Sequence, residues 1–304
     1  MIYTVTLNPA IDYVMRLDEL RLGETNRATE TAVQFGGKGI NVSCMLRELG
    51  VESTALGFIA GFTGEALAAY LGEMDIPADL IRLPEGLTRI NVKLKSGTES
   101  EINAAGPSIP AEALEALMAK LDTLTEGDTL VLAGSIPPSL PRDLYARLTS
   151  RLTSRLTARV TGRGIRVVVD AEGEALTAVL PDRPFLIKPN RAELEGLMGR
   201  SLSAESDLRE AATALQQAGA QNVLVSLGGE GALLLDEYGK FHRAPAAAVT
   251  PVNTVGAGDS MVAGFIAGLP HGYAYALQLG IAAGGATAST DGLGTRAVIE
   301  KLMA

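Results

Sequence analysis

The segment Asn253-Thr254-Val255-Gly256-Ala257-Gly258-Asp259-Ser260 runs directly into the apolar stretch 261–266. Two glycines and an alanine at the start of a helical pattern leave backbone N–H groups and the positive end of the helix dipole open to an anion. Beside such a hole, Asp259 has the chemistry of a general base. It can accept a proton from a hydroxyl while the hole holds the group being transferred. The same residues also read as a helix capped by Asp259, with Gly256 and Gly258 serving a tight turn. The segment by itself leaves both readings open.

Other candidates lie far away in the chain. Gly36-Gly37-Lys38-Gly39-Ile40-Asn41 opens the helical stretch 42–50 and adds one cation, matching neither the P-loop nor the dinucleotide fingerprint. Asp12 follows the first strand, residues 1–7, and a carboxylate past a strand's C-terminal end lies where open α/β sheets place ligands. A turn-forming aspartate is the other reading of Asp12. Arg89 alternates with Ile90 and Val92, so it points either into a cleft or to solvent. Cys44 is the single cysteine and sits between Val42 and Met45, which suits a buried structural thiol and excludes an internal disulfide.

Composition limits the partners. Of 304 residues, 47% are hydrophobic and 20% charged, enough for a large core and against global disorder. Lys and Arg number 26 against 35 Asp and Glu, a formal charge of −9 that disfavours nucleic acid and acidic membrane surfaces. Aromatics are 4% with no Trp, against a base-stacking surface. The first residues lack a basic stretch followed by a signal-type apolar run, and the Ala/Gly-rich C-terminal stretches are broken by polar residues. The expectation is a soluble, cytoplasmic protein.

The positioning elements follow from periodicity. From Pro110 onward helix and strand alternate: helix 111–121, strand 129–133, a helix from about 142, strands 165–170 and 184–187, helix 204–218 and strand 222–226. Polar residues at each strand end argue for a mostly parallel sheet covered on both faces. Short β-prone pieces within 13–35 and 80–104 break this rhythm and predict a small separate sheet that forms a lid, within one domain spanning 1–304. Residues 147–158 repeat Arg-Leu-Thr-Ser/Ala three times, a period that keeps Leu148, Leu152 and Leu156 near one helix face. The repeat reads as a duplication that lengthens a surface helix.

Asp12, the 36–41 cluster, Lys188-Pro189-Asn190-Arg191-Ala192-Glu193 and Gly256-Ala257-Gly258-Asp259, in this order and spacing, resemble the ribokinase-like (PfkB) carbohydrate kinases over the whole chain apart from the repeat. Thr6 to Asp12, Thr88 to Lys93 and Glu101 to Asn103 look like the branch that holds 1-phosphofructokinases and tagatose-6-phosphate kinases. The resemblance implies a three-layer α/β/α sandwich with a β-sheet lid, two lids pairing in a homodimer, and transfer from ATP to a ketohexose phosphate. Fructose 1-phosphate, giving fructose 1,6-bisphosphate, is the expected acceptor; tagatose 6-phosphate is the alternative. A non-catalytic sugar-phosphate sensor is the reading from a different class.

On this resemblance Asp259 is the base and the N–H groups of Gly256, Ala257 and Gly258 form the anion hole. Asp12 and Asn41 bind sugar hydroxyls, with the Gly36, Gly37 and Gly39 backbone against the sugar. Lys38, Arg27, Arg89 and Ser135 meet the substrate's own phosphate. Lys188, Asn190 and Glu193 lie near the triphosphate and Mg²⁺; the three-residue spacing of Asn190 and Glu193 lets a helical turn aim both at one place. Ser226, Gly228 and Gly231 bind nucleotide, and Val252 and Asn253 border the adenine.

Overall fold

The computed structural model describes residues 1–157 and 164–304, with side-chain positions given for all but Thr98 and residues 154–157 of these. The chain opens with β1 (Ile2–Thr6), β2 (Ala10–Arg16) and β3 (Glu30–Gly36), then α1 (Lys38–Glu48), β4 (Thr54–Ala60), α2 (Gly61–Glu73) and β5 (Ala78–Leu83). The hairpin β6 (Arg89–Ser96) and β7 (Thr98–Ile102) follows. Next come α3 (Ala111–Leu121), β8 (Thr129–Ala133), α4 (Leu144–Thr157), β9 (Arg166–Asp170) and the one-turn α5 (Glu174–Thr177). Then β10 (Leu186–Ile187), α6 (Arg191–Met198), α7 (Glu205–Gln217) and β11 (Asn222–Ser226) precede β12 (Ala232–Leu235), β13 (Phe241–Ala244), α8 (Ala257–Gly268), α9 (Tyr273–Ala288) and α10 (Arg296–Met303).

Nine strands form the main sheet in the order β13-β12-β11-β10-β9-β8-β1-β4-β5, parallel from β11 to β5 and antiparallel where β12 joins at one side. Because successive side chains of a strand face opposite ways, each central strand feeds two cores. Leu130 and Leu132 of β8 pack with Leu117 of α3, Leu148 of α4 and Leu208 of α7. Val131 and Ala133 pack with Val42 of α1, Phe265 of α8 and Ala283 of α9 on the opposite face. The three-layer α/β/α arrangement expected from the alternation is therefore present. The antiparallel edge, β12 and β13, was not foreseen; its residues carry no helix between the strands to mark them.

The small sheet is separate, with order β3-β2-β6-β7. One expected member is not in it. Residues 80–83 belong to β5, which pairs in parallel with β4 at the edge of the main sheet, Leu83 opposite Ala60. Helix α2 makes this a right-sided place for it, since a strand–helix–strand unit returns in parallel to the same sheet. The small sheet's two faces differ by strand parity. Val33, Tyr13, Val92 and Ile102 stand in one row across all four strands; Gln34, Asp12 and Asn91 form the neighbouring row on the other face.

Leu148 and Leu152 of the tandem repeat are buried in the first core, while Arg147 pairs with Asp143 on the outside. The side chain of Leu156, and Ala158 at the repeat's end, lie outside the described residues.

Packing of α1 on β1 requires Gly39. A Cβ there would stand 2.6 Å from Thr6 Oγ1 and 2.7 Å from the Val5 carbonyl oxygen, and Thr6 Oγ1 is already accepting the Ile40 N–H at 3.0 Å. Gly39→Ala is therefore expected to destabilise by ~1–3 kcal/mol, read as a lower urea midpoint at unchanged slope. Gly72→Ala, where a Cβ meets nothing within 4 Å, should leave the midpoint equal or slightly raised.

Candidate active site

Helix α8 starts at Ala257, with Gly256 as N-cap at φ 80°, a left-handed conformation suited to glycine. Asp259 is thus the third residue of the helix, and its side chain does not cap it. Instead Asn41 Nδ2 of α1 donates to Asp259 Oδ2 at 2.7 Å across 218 positions of sequence. The capping alternative is removed by this contact. The expected anion hole needs one amendment: the Ala257 N–H turns back to the Thr254 carbonyl at 3.2 Å, so it closes the preceding turn. The hole is left to the other first-turn N–H groups, for which a helix supplies no internal acceptor.

Asp259 is 5% exposed. Burial, reinforced by the nearby carboxylate of Asp170, pushes its pKa up to about 6, against the Asn41 hydrogen bond and the charges of Lys38 and Lys188. Asp170 ends β9, 1% exposed, and among the described residues no hydrogen bond reaches either carboxylate oxygen. The ammonium groups of Lys188 and Lys38 lie 3.3 and 3.5 Å from its Oδ1. Burial alone would lower the Lys38 pKa, but Asp170, with Asp259, Glu172 and Glu193, holds it above the ordinary lysine value. A Cβ on Gly258 would stand 3.1 Å from Lys188 Nζ, so this cation rests close against the start of α8.

Four strand ends and helix starts therefore converge on one corner: Asp170 at the end of β9, Lys188 just after β10, Lys38 at the start of α1 and Asp259 at the start of α8. Asp170 had not been marked from sequence. A strand-terminal carboxylate in a parallel sheet, the same signal that singled out Asp12, could have found it.

The polar face of the small sheet supplies a second group. Asn91 Nδ2 donates to Asp12 Oδ1 at 2.8 Å, and Lys93 Nζ lies 3.1 Å from Asp12 Oδ2. Arg89 begins the same strand, donates from Nε to the Asn8 carbonyl at 3.2 Å, and has its pKa lowered by burial against the opposing charge of Asp12. Asn91 and Lys93 were missed, although they share strand parity with Arg89. Thr88, buried, anchors this strand by accepting the Ala60 N–H at 2.9 Å. A Cβ on Gly36 would stand 3.2 Å from Asn41 Oδ1, and one on Gly37 2.6 Å from Thr6 Cγ2. The glycine cluster thus permits protein–protein packing at the same place where it opens the helix.

Ser135 is exposed in a cleft of about 440 Å³ that also borders Lys38, Gly134 and Glu172. Arg27 is not brought to this cluster. It is exposed on the β2–β3 connection, beyond the Arg16–Glu30 end of the hairpin, the end remote from Ala10 and Gly36.

On the far side, Asn190 and Glu193 meet each other rather than a common point. Asn190 caps α6: its Oδ1 accepts the Glu193 N–H at 2.8 Å, and Glu193 Oε2 and Oε1 accept from the Asn190 backbone N–H and Nδ2 at 2.8 and 2.7 Å. Burial raises the Glu193 pKa, with Asp170 adding to it. Ser226 ends β11 beside them, bridged to Asn190. Gly228 is exposed, with nothing within 4 Å of its Cβ position, whereas a Cβ on Gly231 would run into the Ala244 carbonyl at 2.2 Å. Val252 is exposed and its N–H donates to the Ala288 carbonyl at 2.7 Å. Asn253 spends its side chain on the Asp291 carbonyl and the Val255 N–H, on the side of the small sheet. Among the described residues no group of three or more His, Cys, Asp and Glu gathers into a metal cage.

Residues 5–300 match the pfkB family carbohydrate kinases. The chain is 42% identical to a 1-phosphofructokinase of Bacillus subtilis, over 100% of this chain and 97% of that protein. It is 36% identical to a D-tagatose-1-phosphate kinase of Bacillus licheniformis, over 97% and 94%. The structure superposes with TM-score 0.89 on phosphofructokinase-2 from Escherichia coli in complex with fructose-6-phosphate, at 30% identity, covering 99% of this chain and 97% of the other.

Asp259 makes a prediction about stability. Its folded pKa, about 6, lies above the unfolded value of 3.8, so the folded state binds the proton more tightly. The contribution is full below pH ~4, falls as pH rises through the window to 6, and stays lost above it. Asp259→Asn should therefore melt at a higher temperature than the parent at pH 8, by up to ~3 kcal/mol in stability, with the gap closing toward pH 4. A gap independent of pH would show that Asp259 does not titrate in this window.

Proposed function

The chain belongs to the pfkB family of carbohydrate kinases, and we propose that it transfers the γ-phosphoryl group of ATP to the 6-hydroxyl of fructose 1-phosphate, giving fructose 1,6-bisphosphate and ADP. The observation that supports this reading most directly is the buried Asp259 carboxylate at the start of α8, with two lysines at its side. The acceptor oxygen attacks phosphorus as its proton passes to Asp259, the bond to the ADP oxygen breaks, and negative charge spreads over the transferred group. A pKa near 6 keeps this carboxylate ionised at neutral pH yet basic enough to share the proton. Lys188 and the first-turn N–H groups of α8 face that charge; Lys38 serves the phosphates from the opposite helix start.

Asp12, positioned by Asn91 and Lys93, and Asn41 are the groups we assign to the sugar hydroxyls, with Arg89 and Ser135 toward the substrate's own phosphate. Ser226, Gly228 and Gly231 are assigned to the nucleotide. We assign a hydrated Mg²⁺ to the Asp170 carboxylate, whose two buried oxygens have no hydrogen-bond partner among the described residues. When bound, such an ion neutralises charge on the β- and γ-phosphates. Closure of the small sheet excludes water, so the base receives a sugar proton in preference to one from water.

Tagatose 1-phosphate is the second acceptor to weigh, through the Bacillus licheniformis relative. A panel of fructose 1-phosphate, tagatose 1-phosphate, fructose 6-phosphate and tagatose 6-phosphate with ATP and Mg²⁺ decides. We expect the highest kcat/KM with fructose 1-phosphate; equal or higher efficiency with any other overturns that choice. Tight binding without turnover of any of the four would mark a sensor. In the same assay Asp259→Asn should lower kcat by ~10²–10⁴-fold, and the acid limb of kcat/KM near pH 6 should vanish with it.

We also infer a homodimer through the small sheet. The row Val33, Tyr13, Val92 and Ile102 presents an apolar face, with Val33 and Ile102 52% and 63% exposed, and a matching face on a second copy is what such a sheet needs to be covered. Val33→Glu should shift the mass measured by light scattering from two chains to one; a parent that is monomeric at micromolar concentration overturns the inference. A reducing, cytoplasmic setting suits the single buried thiol, and among the described residues no helix is long and apolar enough to cross a membrane.

A further inference from the structure

Asp291 lies in the turn between α9 and α10, outside every group assigned above, yet three side chains from two parts of the molecule converge on it. Arg16 Nη2, at the end of β2, donates to its Oδ1 at 2.9 Å. Gln34 Nε2 of β3 donates to its backbone carbonyl at 2.9 Å, and Asn253 Nδ2 donates to the same carbonyl at 3.0 Å. One oxygen therefore joins the small sheet to the loop that leads into α8.

The turn is built to carry a displacement. Thr290 Oγ1 donates to the Gly292 carbonyl at 2.7 Å across it. Behind it, the Ala288 carbonyl accepts the N–H groups of Val252 and Asn253 at 2.7 and 3.2 Å. Thr287 Oγ1 shares a hydrogen bond of 2.7 Å with Ser260 Oγ and accepts the Gly294 N–H at 2.9 Å. Leu293 packs so closely on Gly256 that a Cβ there would stand 2.9 Å from its Cδ2. On the loop itself, Asn253 Oδ1 accepts the Val255 N–H at 3.0 Å, which shapes the chain just ahead of Gly256. A cavity of only about 90 Å³ separates the sheet from the loop here, bordered by Arg16, Gln34, Asn253 and Asp291.

We propose that Asp291 is a positioning residue that couples docking of the four-stranded sheet to the conformation of residues 252–256, and through them to the anion hole at the start of α8. With the sheet docked, both lone pairs of the Asp291 carbonyl are engaged and Asn253 is held. When the sheet leaves, the turn loses its Arg16 and Gln34 partners and the loop relaxes. Each exposed contact is weak alone, but their convergence on one turn makes the hole complete only under a closed sheet. The effect on rate rests on the phosphoryl-transfer reading; the coupling itself does not.

The test uses Gln34→Ala, Arg16→Ala and the double variant in the full chain, read by amide hydrogen exchange and by kinetics. Loss of these contacts should speed exchange at residues 252–258 about tenfold in the double variant, although neither changed residue lies on that loop. Exchange in α10 should stay unchanged, and kcat should fall. Asp291→Asn, which keeps the carbonyl and an acceptor for Arg16, should remain close to the parent. Faster exchange confined to β2 and β3, with 252–258 unchanged, overturns the proposal. If the double variant does not fold, the single Gln34→Ala gives the same reading at smaller size. A chain inactive toward every sugar phosphate but showing the exchange pattern rejects the kinase reading alone.

Discussion

Two carboxylates and two ammonium groups share one nearly dry corner of this protein, and their mutual compensation is what the surrounding structure must maintain. Asp170 and Asp259 are 1% and 5% exposed, and Lys188 is 5% exposed. Each charge removed from water costs several kcal/mol unless a partner is held at short range. Lys38 and Lys188, both within 3.5 Å of Asp170 Oδ1, supply the partners. The balance is incomplete by design of position: Asp259 has Asn41 as its hydrogen-bond donor, while Asp170 works against its ionisation. The same imbalance that costs stability is what suits the group to the base role proposed for it.

The small sheet holds a second group of compensated charges. Alternation along its strands turns Asp12, Asn91 and Lys93 one way and Tyr13, Val92 and Ile102 the other. Lys93 is 6% exposed despite its charge, because Asp12 lies 3.1 Å away. A sheet of four strands cannot bury both faces by itself. On the reading proposed above, its polar row faces the cleft and its apolar row a second copy of the chain. The sheet meets the main body at several points, among them Thr88 beside Ala60, Phe35 stacked on Tyr70 of α2, and Arg16 on Asp291.

The glycine-rich segments carry two demands at once. Gly256 adopts a positive φ so that α8 can begin where it does, and Gly39 lets α1 approach β1. The anion-binding geometry is thus a by-product of close backbone packing as much as a device for a ligand. This explains why one N–H expected in the hole, that of Ala257, is instead spent on the turn that sets the hole's shape.

The sequence by itself determined the layered α/β architecture and the small separate sheet, because these depend on local periodicity; it marked Asp12, Lys38 and Asp259 by their place at element ends, and Asn41 and Lys188 through the family resemblance. It also showed Glu193 three residues after Asn190, but not that the pair would cap α6 by bonding to each other. Only the tertiary structure decided that β5 lies in the main sheet, that Arg27 stands apart, and that Asp170, Asn91 and Lys93 join the site. It alone brought Asn41 to Asp259 and Asp291 to Gln34, over 218 and 257 positions. The physical reason is common to all of these. Alternation and helix signals are properties of neighbours in the chain, whereas which charge compensates which, once water is excluded, depends on where separate strands and helices happen to end.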